Sequence, residues 1–376
     1  MKLKRILLIM VILIFAVPSK SLASEEILES TQEMLDISSF ISEAQKYTED
    51  VFDDMDFSET LSSAMSGDLN GTSIAKRLFE LLGIEIRSQI TMVGSIIIII
   101  VVHSILKSIS DGLDNGGISQ ITYFVQYILI VTLIMTNFSG IISSIKDTIQ
   151  NLVGFSYSLI PLLLALIMIT GNIVTAGAVQ PILLIMITFI GNFISTFLLP
   201  MILIGTSLGI ISKISDKVQI DKLAKTFKSS VVWILGIALT IFTGVLSLES
   251  SLTGHVDGIT TKTTKAIVSS AVPVVGKILS DTAEVVLGSG VILKNAVGII
   301  GVIVIIGICA MPIIRLAVLT VLYHVLSAIC QPIADKKIID IIEQMRDTFK
   351  VLLAMVCSIS VMLIIGVTIV IKISNI

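Results

Sequence analysis

The chain has 376 residues, of which 54 % are hydrophobic and only 14 % are charged, and its formal net charge at pH 7 is −3. A soluble globular domain carries about 25 % charged residues, and the mean hydropathy here is +1.02. This composition excludes an ordinary water-soluble enzyme or binding domain and predicts a membrane protein. Continuously apolar segments of about 20 residues favour membrane-spanning helices over the alternating strands of a β-barrel.

Residues 1–23 have the three parts of a secretory signal peptide. Three basic residues among the first five precede the apolar run Ile6–Val17, which Pro18 ends, and small residues follow at 21–23. We expect cleavage after this segment. The alternative is an uncleaved anchor helix, for which an apolar core of about 12 residues is short.

Residues 24–89 form a predicted acidic, extracytoplasmic N-terminal region. They carry 15 acidic side chains against four basic ones, whereas the chain that follows is net positive. A strongly acidic stretch after a signal peptide is typical of a region outside the cytoplasm, because basic residues concentrate on the cytoplasmic side of a membrane. Apolar residues recur with helical spacing at 27–35 and 74–82. The region is either a docking arm for an extracytoplasmic partner or a solvated leader that sets topology.

Nine apolar segments are predicted to enter the membrane: Ile90–Leu106, Ile121–Ile142, Leu152–Thr170, Ile182–Leu199, Met201–Ile211, Val231–Leu248, Val291–Met311, Ile313–Ile329 and Val351–Ile371. They predict an all-α, polytopic helical integral membrane protein of about 8–10 spans, whose first two helices lie in 90–150. Met201–Ile211 is too short to cross a hydrocarbon core of about 30 Å alone. It either extends to about Ser215 or forms a hairpin with the preceding segment across Pro200.

Two connecting regions differ in composition. At 213–229 five lysines outnumber two aspartates, which predicts a cytoplasmic position for this loop. Residues 249–290 are mildly apolar and rich in Gly, Ser and Thr. They form either an extracytoplasmic loop, a re-entrant segment or a weak tenth span, centred near Pro273.

The membrane region contains a predicted, diverged internal repeat. Two pairs of prolines share one spacing, and the amphipathic segment at 213–229 with its following span is matched by one at 334–350. The first repeat occupies 151–248, and 291–376 holds the remainder of the second. A parallel repeat places both amphipathic segments on the cytoplasmic side and requires an extra crossing near Ala266–Leu279. An inverted repeat places them on opposite sides.

Each amphipathic segment presents an apolar face with helical spacing, which is typical of an interfacial or partner-binding helix. The predicted partner-binding faces are Ile220, Leu223 and Phe227 in the first segment and Ile342, Met345 and Phe349 in the second. The alternative is a short helix that packs on the bundle.

The sequence contains no soluble catalytic motif, zinc-ligand spacing or nucleotide fingerprint, so we predict no enzyme, cofactor or metal and identify no nucleic-acid or small-molecule ligand. Ionisable residues in apolar segments remain as candidates, because charge in lipid is costly and usually faces an interior or a pathway. They are Lys294, Arg315 and His324, and the alternative for each is snorkelling to the interface. Gly205 and Gly209 form a GxxxG pair that would let helices approach closely.

Three blocks resemble the stage III sporulation protein AE family: SAVPVVGK at 270–277, VILKNAVG at 291–298 and CQP at 330–332. The order of signal peptide, acidic exported region and polytopic body is similar as well. The resemblance covers essentially the whole mature chain, and the Pro-Val-Val-Gly and Leu-Lys-Asn-Ala blocks are more specific than the apolar runs.

The resemblance implies a non-enzymatic, multi-pass subunit of a channel-like complex between mother cell and forespore in endospore-forming bacteria. It implies a location in the mother-cell membrane around the forespore and a role in forespore gene expression after engulfment. The implied partners are the lipid bilayer, other proteins of the stage III sporulation operon and a partner complex on the forespore side. No catalytic residue is carried over.

Two other functions stay open on the residues alone. A stand-alone secondary transporter or permease for a small solute fits the repeat and the interrupted spans, although the apolar segments show no paired carboxylate and cation. An intramembrane enzyme would depend on His324.

Overall fold

The structure, a computed structural model, describes residues 36–53, 55–69, 71–112, 116–214, 220–271 and 275–372, with all their side chains except those at 110–123, 126, 214 and 249–286. The predicted signal peptide and Pro273 lie outside the described residues. The described chain forms nine α-helices and one π-helix: α1 (Ile37–Thr48), α2 (Phe57–Ser66), α3 (Gly71–Gly112), α4 (Gly116–Ile169), α5 (Ile173–Phe193), π1 (Ile194–Leu198), α6 (Leu199–Ile214), α7 (Asp221–Ala271), α8 (Val275–Cys330) and α9 (Lys336–Lys372).

No strand occurs among these residues, and the all-α, polytopic prediction is confirmed. Six helical stretches are long and apolar enough to cross a membrane: Gly71–Ile109, Tyr127–Ile169, Ile173–Lys213, Asp221–Leu248, Leu287–Cys330 and Lys336–Lys372. The number of membrane elements differs from the nine predicted segments, because three of these stretches each unite two of them.

Two of the breaks expected between apolar segments do not end a helix. The interval between the apolar halves of α4 is polar and includes Lys146 and Asp147, but no Pro or Gly lies in 143–151. Polar side chains lower hydropathy without strongly disfavouring helical backbone. Pro312 lies inside α8, where a missing N–H removes one hydrogen bond and bends the helix more readily than it ends it.

Of the two alternatives for Met201–Ile211, the hairpin across Pro200 is not formed. α5, π1 and α6 follow one another without a break from Ile173 to Ile214, which agrees with the alternative of a span extended to about residue 215. π1 directly precedes Leu199 and Pro200. Because proline has no N–H, the carbonyl of Thr196 lacks its usual helical donor, and the wider π turn gives the ring room.

Of the three alternatives for residues 249–290, an irregular extracytoplasmic loop does not fit the described residues. α7 continues to Ala271 and α8 begins at Val275, so both sides of 272–274 are helical. Serine and threonine cost a helix only about 0.5 kcal/mol each relative to alanine, although they lower hydropathy strongly. Hydropathy alone therefore underestimated the helical length here.

The N-terminal helix α1 packs against α4 and α8, and α2 packs against α8. Phe40 and Tyr47 of α1 contact Phe155 of α4, with ring centroids 5.9 and 5.8 Å apart. Asp56 caps α2, because its carboxylate accepts a hydrogen bond from the backbone N–H of Ser58 at 2.7 Å. The described part of the acidic region is therefore folded onto the bundle, and its position outside the cytoplasm stays a prediction.

α8 lies at the centre of the bundle and contacts α1, α2, α3, α4, α7 and α9. The two amphipathic segments meet at one end, where Lys228 Nζ donates to the Gln344 carbonyl at 3.2 Å. We call this the lysine-rich end, because Lys213, Lys222 and Lys225 also lie there. A parallel repeat requires this arrangement, and the repeat itself stays a prediction.

Candidate functional site

Lys294 is fully buried and takes part in the packing of the chain itself. Its Nζ donates to the backbone carbonyl of Ile371 at 2.6 Å, near the C-terminal end of α9, where the last carbonyls have no helical donor. A cation at this position also complements the negative end of the helix dipole. The Lys294 side chain therefore ties α8 to α9, and its exposure of 0 % does not fit snorkelling.

Arg315 pairs with a carboxylate that the sequence did not single out. Its Nε lies 2.9 Å from Glu85 Oε1, and Gln89 donates to the same oxygen at 2.7 Å. The Glu85 side chain is only 4 % exposed, and a buried carboxylate without a partner would cost several kcal/mol. Arg315 therefore secures the contact between α3 and α8.

A second charged cluster lies at the lysine-rich end and was also not predicted. Asp335, in the turn before α9, accepts a hydrogen bond from Lys107, and its other carboxylate oxygen lies 2.8 Å from His103 Nε2. Burial raises the pKa of Asp335, but the hydrogen bonds from Lys107 and His103 outweigh burial and hold the pKa below its ordinary value. The cluster joins α3 to the turn between α8 and α9.

His324 belongs to neither of these contacts. It is exposed, and its Nδ1 lies 3.4 Å from Nη1 of Arg346, which also pairs with Asp347. The three predicted ionisable residues thus occupy three separate contacts, and the structure does not bring them together into one site.

Gly205 and Gly209 let α6 approach two neighbouring helices. A Cβ atom on Gly205 would lie 3.0 Å from Cβ of Phe227 in α7, and one on Gly209 would overlap the Gln344 amide of α9. That amide donates to the backbone carbonyl of Thr206 at 2.8 Å. The glycine pair therefore has a packing role within the chain.

The two predicted partner-binding faces differ in burial. The second face is buried in the bundle: Ile342, Met345 and Phe349. The Phe349 ring meets Tyr323 edge-on, with centroids 5.1 Å apart, so in this structure the second segment packs on the bundle. In the first face Leu223 is 49 % exposed and the other two side chains are half-buried. Leu223 therefore remains open to a partner.

A lateral cleft of about 600 Å³ lies between α4 and the junction of α5 with π1. Its polar lining residues are Lys146, Gln150, Tyr157, Asn192, Ser195 and Thr196. The two helices can meet beside it because of Gly191, on which a Cβ atom would lie only 2.5 Å from Val153 Cγ2. The cleft could not be predicted from the sequence, since the pairing of α4 with α5 has no sequence signal of its own.

The described residues contain no group of three or more His, Cys, Asp or Glu side chains that could hold a metal ion. Cys309 and Cys330 are buried and Cys357 is half-buried, and buried free cysteines usually pack as small hydrophobic side chains. The polar chemistry of the described chain is therefore that of ion pairs between helices and of a polar cleft.

Comparison with known proteins identifies the family. The family model described as stage III sporulation protein AE matches residues 55–374. A curated relative, stage III sporulation protein AE of Bacillus subtilis (strain 168), is 29 % identical over 300 residues, which cover 80 % of this chain and 75 % of that protein. No solved structure matches the chain. This multi-pass membrane protein therefore belongs to the stage III sporulation protein AE family.

Proposed function

We propose that this protein is a non-enzymatic membrane subunit of a channel-like complex between mother cell and forespore. Membership of a stage III sporulation family carries the proposal, and six apolar helices support an integral membrane subunit. The protein would lie in the mother-cell membrane around the forespore. There it would assemble with other stage III sporulation proteins and a forespore-side complex, and support forespore gene expression after engulfment.

Two surfaces of different chemistry are available for assembly. Exposed acidic side chains lie between α1 and α2 and at the start of α2, at Glu49, Asp50, Asp53, Asp56 and Glu59. They would face the space between the two membranes if the N-terminal region is exported. At the lysine-rich end Leu223 is exposed between Lys222 and Lys225. Such an apolar side chain in a basic surrounding fits an acidic or amphipathic partner on the other side of the membrane.

An in-frame deletion in the source organism, complemented in trans by the wild-type gene, tests the proposal. Microscopy of sporulating cells should show arrest after engulfment with a collapsed or silent forespore, while vegetative growth stays normal. Normal spore formation in the deletion strain, or a defect in vegetative solute uptake, would contradict the proposed role.

A solute permease is the second candidate, and the lateral cleft favours it. Polar side chains partway along apolar helices are common on transport pathways, and Lys146 lies near the middle of the 54-residue helix α4. Solute uptake by the purified protein alone in liposomes would support a permease. Uptake or conductance that appears only with other sporulation proteins would support the complex subunit.

A further inference from the structure

The outward face of α4 is polar along a length comparable to the thickness of a membrane. Between Thr132 and Asn151 every exposed residue of this helix is polar or a glycine. From Thr132 to Asn151 the helix rises about 28 Å, and a hydrocarbon core is about 30 Å thick. We call the exposed residues of this interval the polar stripe. At successive turns it includes Thr132, Thr136, Ser139, Ser143, Lys146 and Gln150.

The polar stripe lies on a helix that is otherwise apolar enough to cross a membrane. The crossing stretch of α4 is Tyr127–Ile169, and any segment of about 20 residues within it includes part of the stripe. α7 has the ordinary pattern of a lipid-facing helix, because Trp233, Ile237 and Ile241 are exposed at successive turns. The outward face of α7 therefore suits lipid, whereas the outward face of α4 does not.

Two charged side chains lie within the polar stripe. Lys146 and Asp147 are exposed, and neither makes a hydrogen bond or an ion pair with a described residue. A charged side chain near the centre of a membrane helix costs about 2.5–3.5 kcal/mol when it faces lipid. The polar stripe is therefore expected to face water or another protein chain.

The two charges point to opposite edges of the polar stripe. Residues eleven apart lie on the same side of an α-helix, about three turns later. Tyr157 follows Lys146 by eleven residues, and its hydroxyl makes a hydrogen bond of 2.7 Å to α5. Ser158 follows Asp147 by eleven residues and donates a hydrogen bond to a carboxylate of α1. Lys146 thus lies on the edge next to α5, where it lines the lateral cleft, and Asp147 lies on the edge next to α1.

Exposed apolar side chains flank the polar stripe on the neighbouring helices. Phe189 of α5 and Phe197 of π1 are exposed, and Phe193 stacks between them with ring centroids 6.0 and 5.2 Å apart. On α3, which also packs against α4, Ile98 is exposed. Aromatic side chains often anchor protein interfaces. The flanks can therefore pack against other protein chains while the polar stripe stays in water.

We infer that the polar stripe lines a water-filled pathway that is enclosed by further copies of this chain. One helix face cannot enclose water, whereas copies related by rotation about the membrane normal close into a ring. All copies then stand at one depth, and the α5 edge of each copy meets the α1 edge of the next. Lys146 of one copy therefore meets Asp147 of its neighbour, and their opposite charges match across the contact.

This inference deepens the proposed function, on which it rests for a channel-like complex. It adds that α4 is the helix that lines the channel and that the partner across each edge is a second copy of the same chain.

Disulfide cross-linking in membranes from sporulating cells tests the contact between copies. The variants of the full-length protein are Lys146→Cys, Asp147→Cys and a double variant with both substitutions. The matched control is the double variant of Thr240→Cys and Ile241→Cys, which places two consecutive exposed thiols on α7. The parent protein measures the background from its three cysteines, which are buried or half-buried.

In a ring each copy of the double variant joins two neighbours, so oxidation should produce a ladder of oligomers beyond the dimer. Lys146→Cys and Asp147→Cys expressed together should give dimers, and each expressed alone should give far fewer. If either single variant forms as much dimer as the mixture, the ring of copies is overturned. It is also overturned if the double variant at Lys146 and Asp147 oligomerises no more than the α7 control.

Thiol reactivity in the same membranes tests whether the polar stripe lies in water. Thr136→Cys, Ser143→Cys and Gln150→Cys should react with a small charged methanethiosulfonate about tenfold faster than Ile237→Cys of α7, because a reactive thiolate forms in water and is disfavoured in lipid. If Ser143→Cys reacts no faster than Ile237→Cys, the water-filled pathway is overturned. Either failure leaves the sporulation role standing, because the deletion strain tests that role separately.

Discussion

Two charged side chains of α8 join it to helices that are distant in sequence. Lys294 ties α8 to the end of α9, and Arg315 ties α8 to Glu85 of α3. Each contact gives a buried charge a partner, which is the condition under which charge is tolerated in an apolar interior. Lys294 and Arg315 therefore stabilise the packing of the bundle.

Asp335 should make stability depend on acid pH. The pKa of Asp335 in the folded state lies below the ordinary value because Lys107 and His103 donate hydrogen bonds to its carboxylate. In the unfolded state the pKa of an aspartate is about 3.9. The contribution to stability is therefore complete above about pH 4 and is lost as the pH falls through the folded pKa. Asp335→Asn should lower the free energy of unfolding by about 1–2 kcal/mol at pH 5.

Thermal unfolding in detergent at pH 5 and pH 3 measures this dependence. The difference between wild type and Asp335→Asn should shrink at pH 3. Asp347→Asn, at the same end but with a side chain 52 % exposed, is the control and should change stability little at either pH. An equal difference at both pH values would show that the carboxylate charge of Asp335 is not stabilising.

The sequence identified one side of each buried contact but not the other. Lys294 and Arg315 interrupt apolar runs, and such interruptions can be recognised from the sequence alone. Their partners are a backbone carbonyl at Ile371 and a carboxylate in the acidic region, and neither is distinctive before the chain folds.

At the scale of elements, hydropathy predicted that the chain forms apolar helices but divided them too often. It registers side-chain polarity, whereas a helix ends where the backbone cannot continue. The polar interval around Lys146 and the serine- and threonine-rich stretch after residue 248 lower hydropathy but keep helical backbone. By contrast, the turn between α4 and α5 contains Gly171 with φ at +89°, a conformation that glycine adopts at low cost.

The close packing of α6 should depend on its two glycines. A Cβ atom on Gly205 would lie 3.2 Å from the backbone carbonyl of Ala224, which cannot move freely, and one on Gly209 would displace the Gln344 amide from its bond to Thr206. Gly205→Ala and Gly209→Ala should each destabilise the protein by about 1–2 kcal/mol, net of the helix propensity that alanine adds.

Gly236→Ala in α7 is the matched control, because a Cβ atom there meets nothing within 4 Å. It should be neutral or stabilising by up to about 1 kcal/mol. The midpoint of thermal unfolding in detergent compares the three variants. If all three variants shift the midpoint alike, the effect of the substitutions comes from helix propensity. Close packing at Gly205 and Gly209 then does not contribute to the stability of the protein.

At the scale of the whole molecule, the helices alternate in direction between two ends. If the N-terminal region is exported, α3 crosses inward, α4 outward and the continuous α5–π1–α6 stretch inward, so the loop before α7 is cytoplasmic. Three crossings replace the five predicted apolar segments that precede this loop, and both numbers are odd. The positive-inside expectation for the lysine-rich loop therefore survives the change in the number of spans.

The same alternation predicts that both amphipathic segments face the cytoplasm. Lys228 bonds to Gln344 across α7 and α9, which excludes opposite ends of the bundle for the two segments. Introduced cysteines at Lys222 and Lys350 should therefore resist an impermeant maleimide in intact protoplasts. Cysteines at Asn172, in the turn between α4 and α5, and at Lys46, on α1, should react from outside.

The parent protein measures the background of this labelling, since its three cysteines are buried or half-buried. Permeabilised cells should restore labelling at Lys222→Cys and Lys350→Cys, which shows that the thiols are accessible once the reagent enters. Reaction of Lys350→Cys together with Asn172→Cys in intact protoplasts would place the second amphipathic segment outside. That outcome would require an inverted repeat and would contradict the packing of α9 against α6 and α7, because those contacts hold both segments at one end.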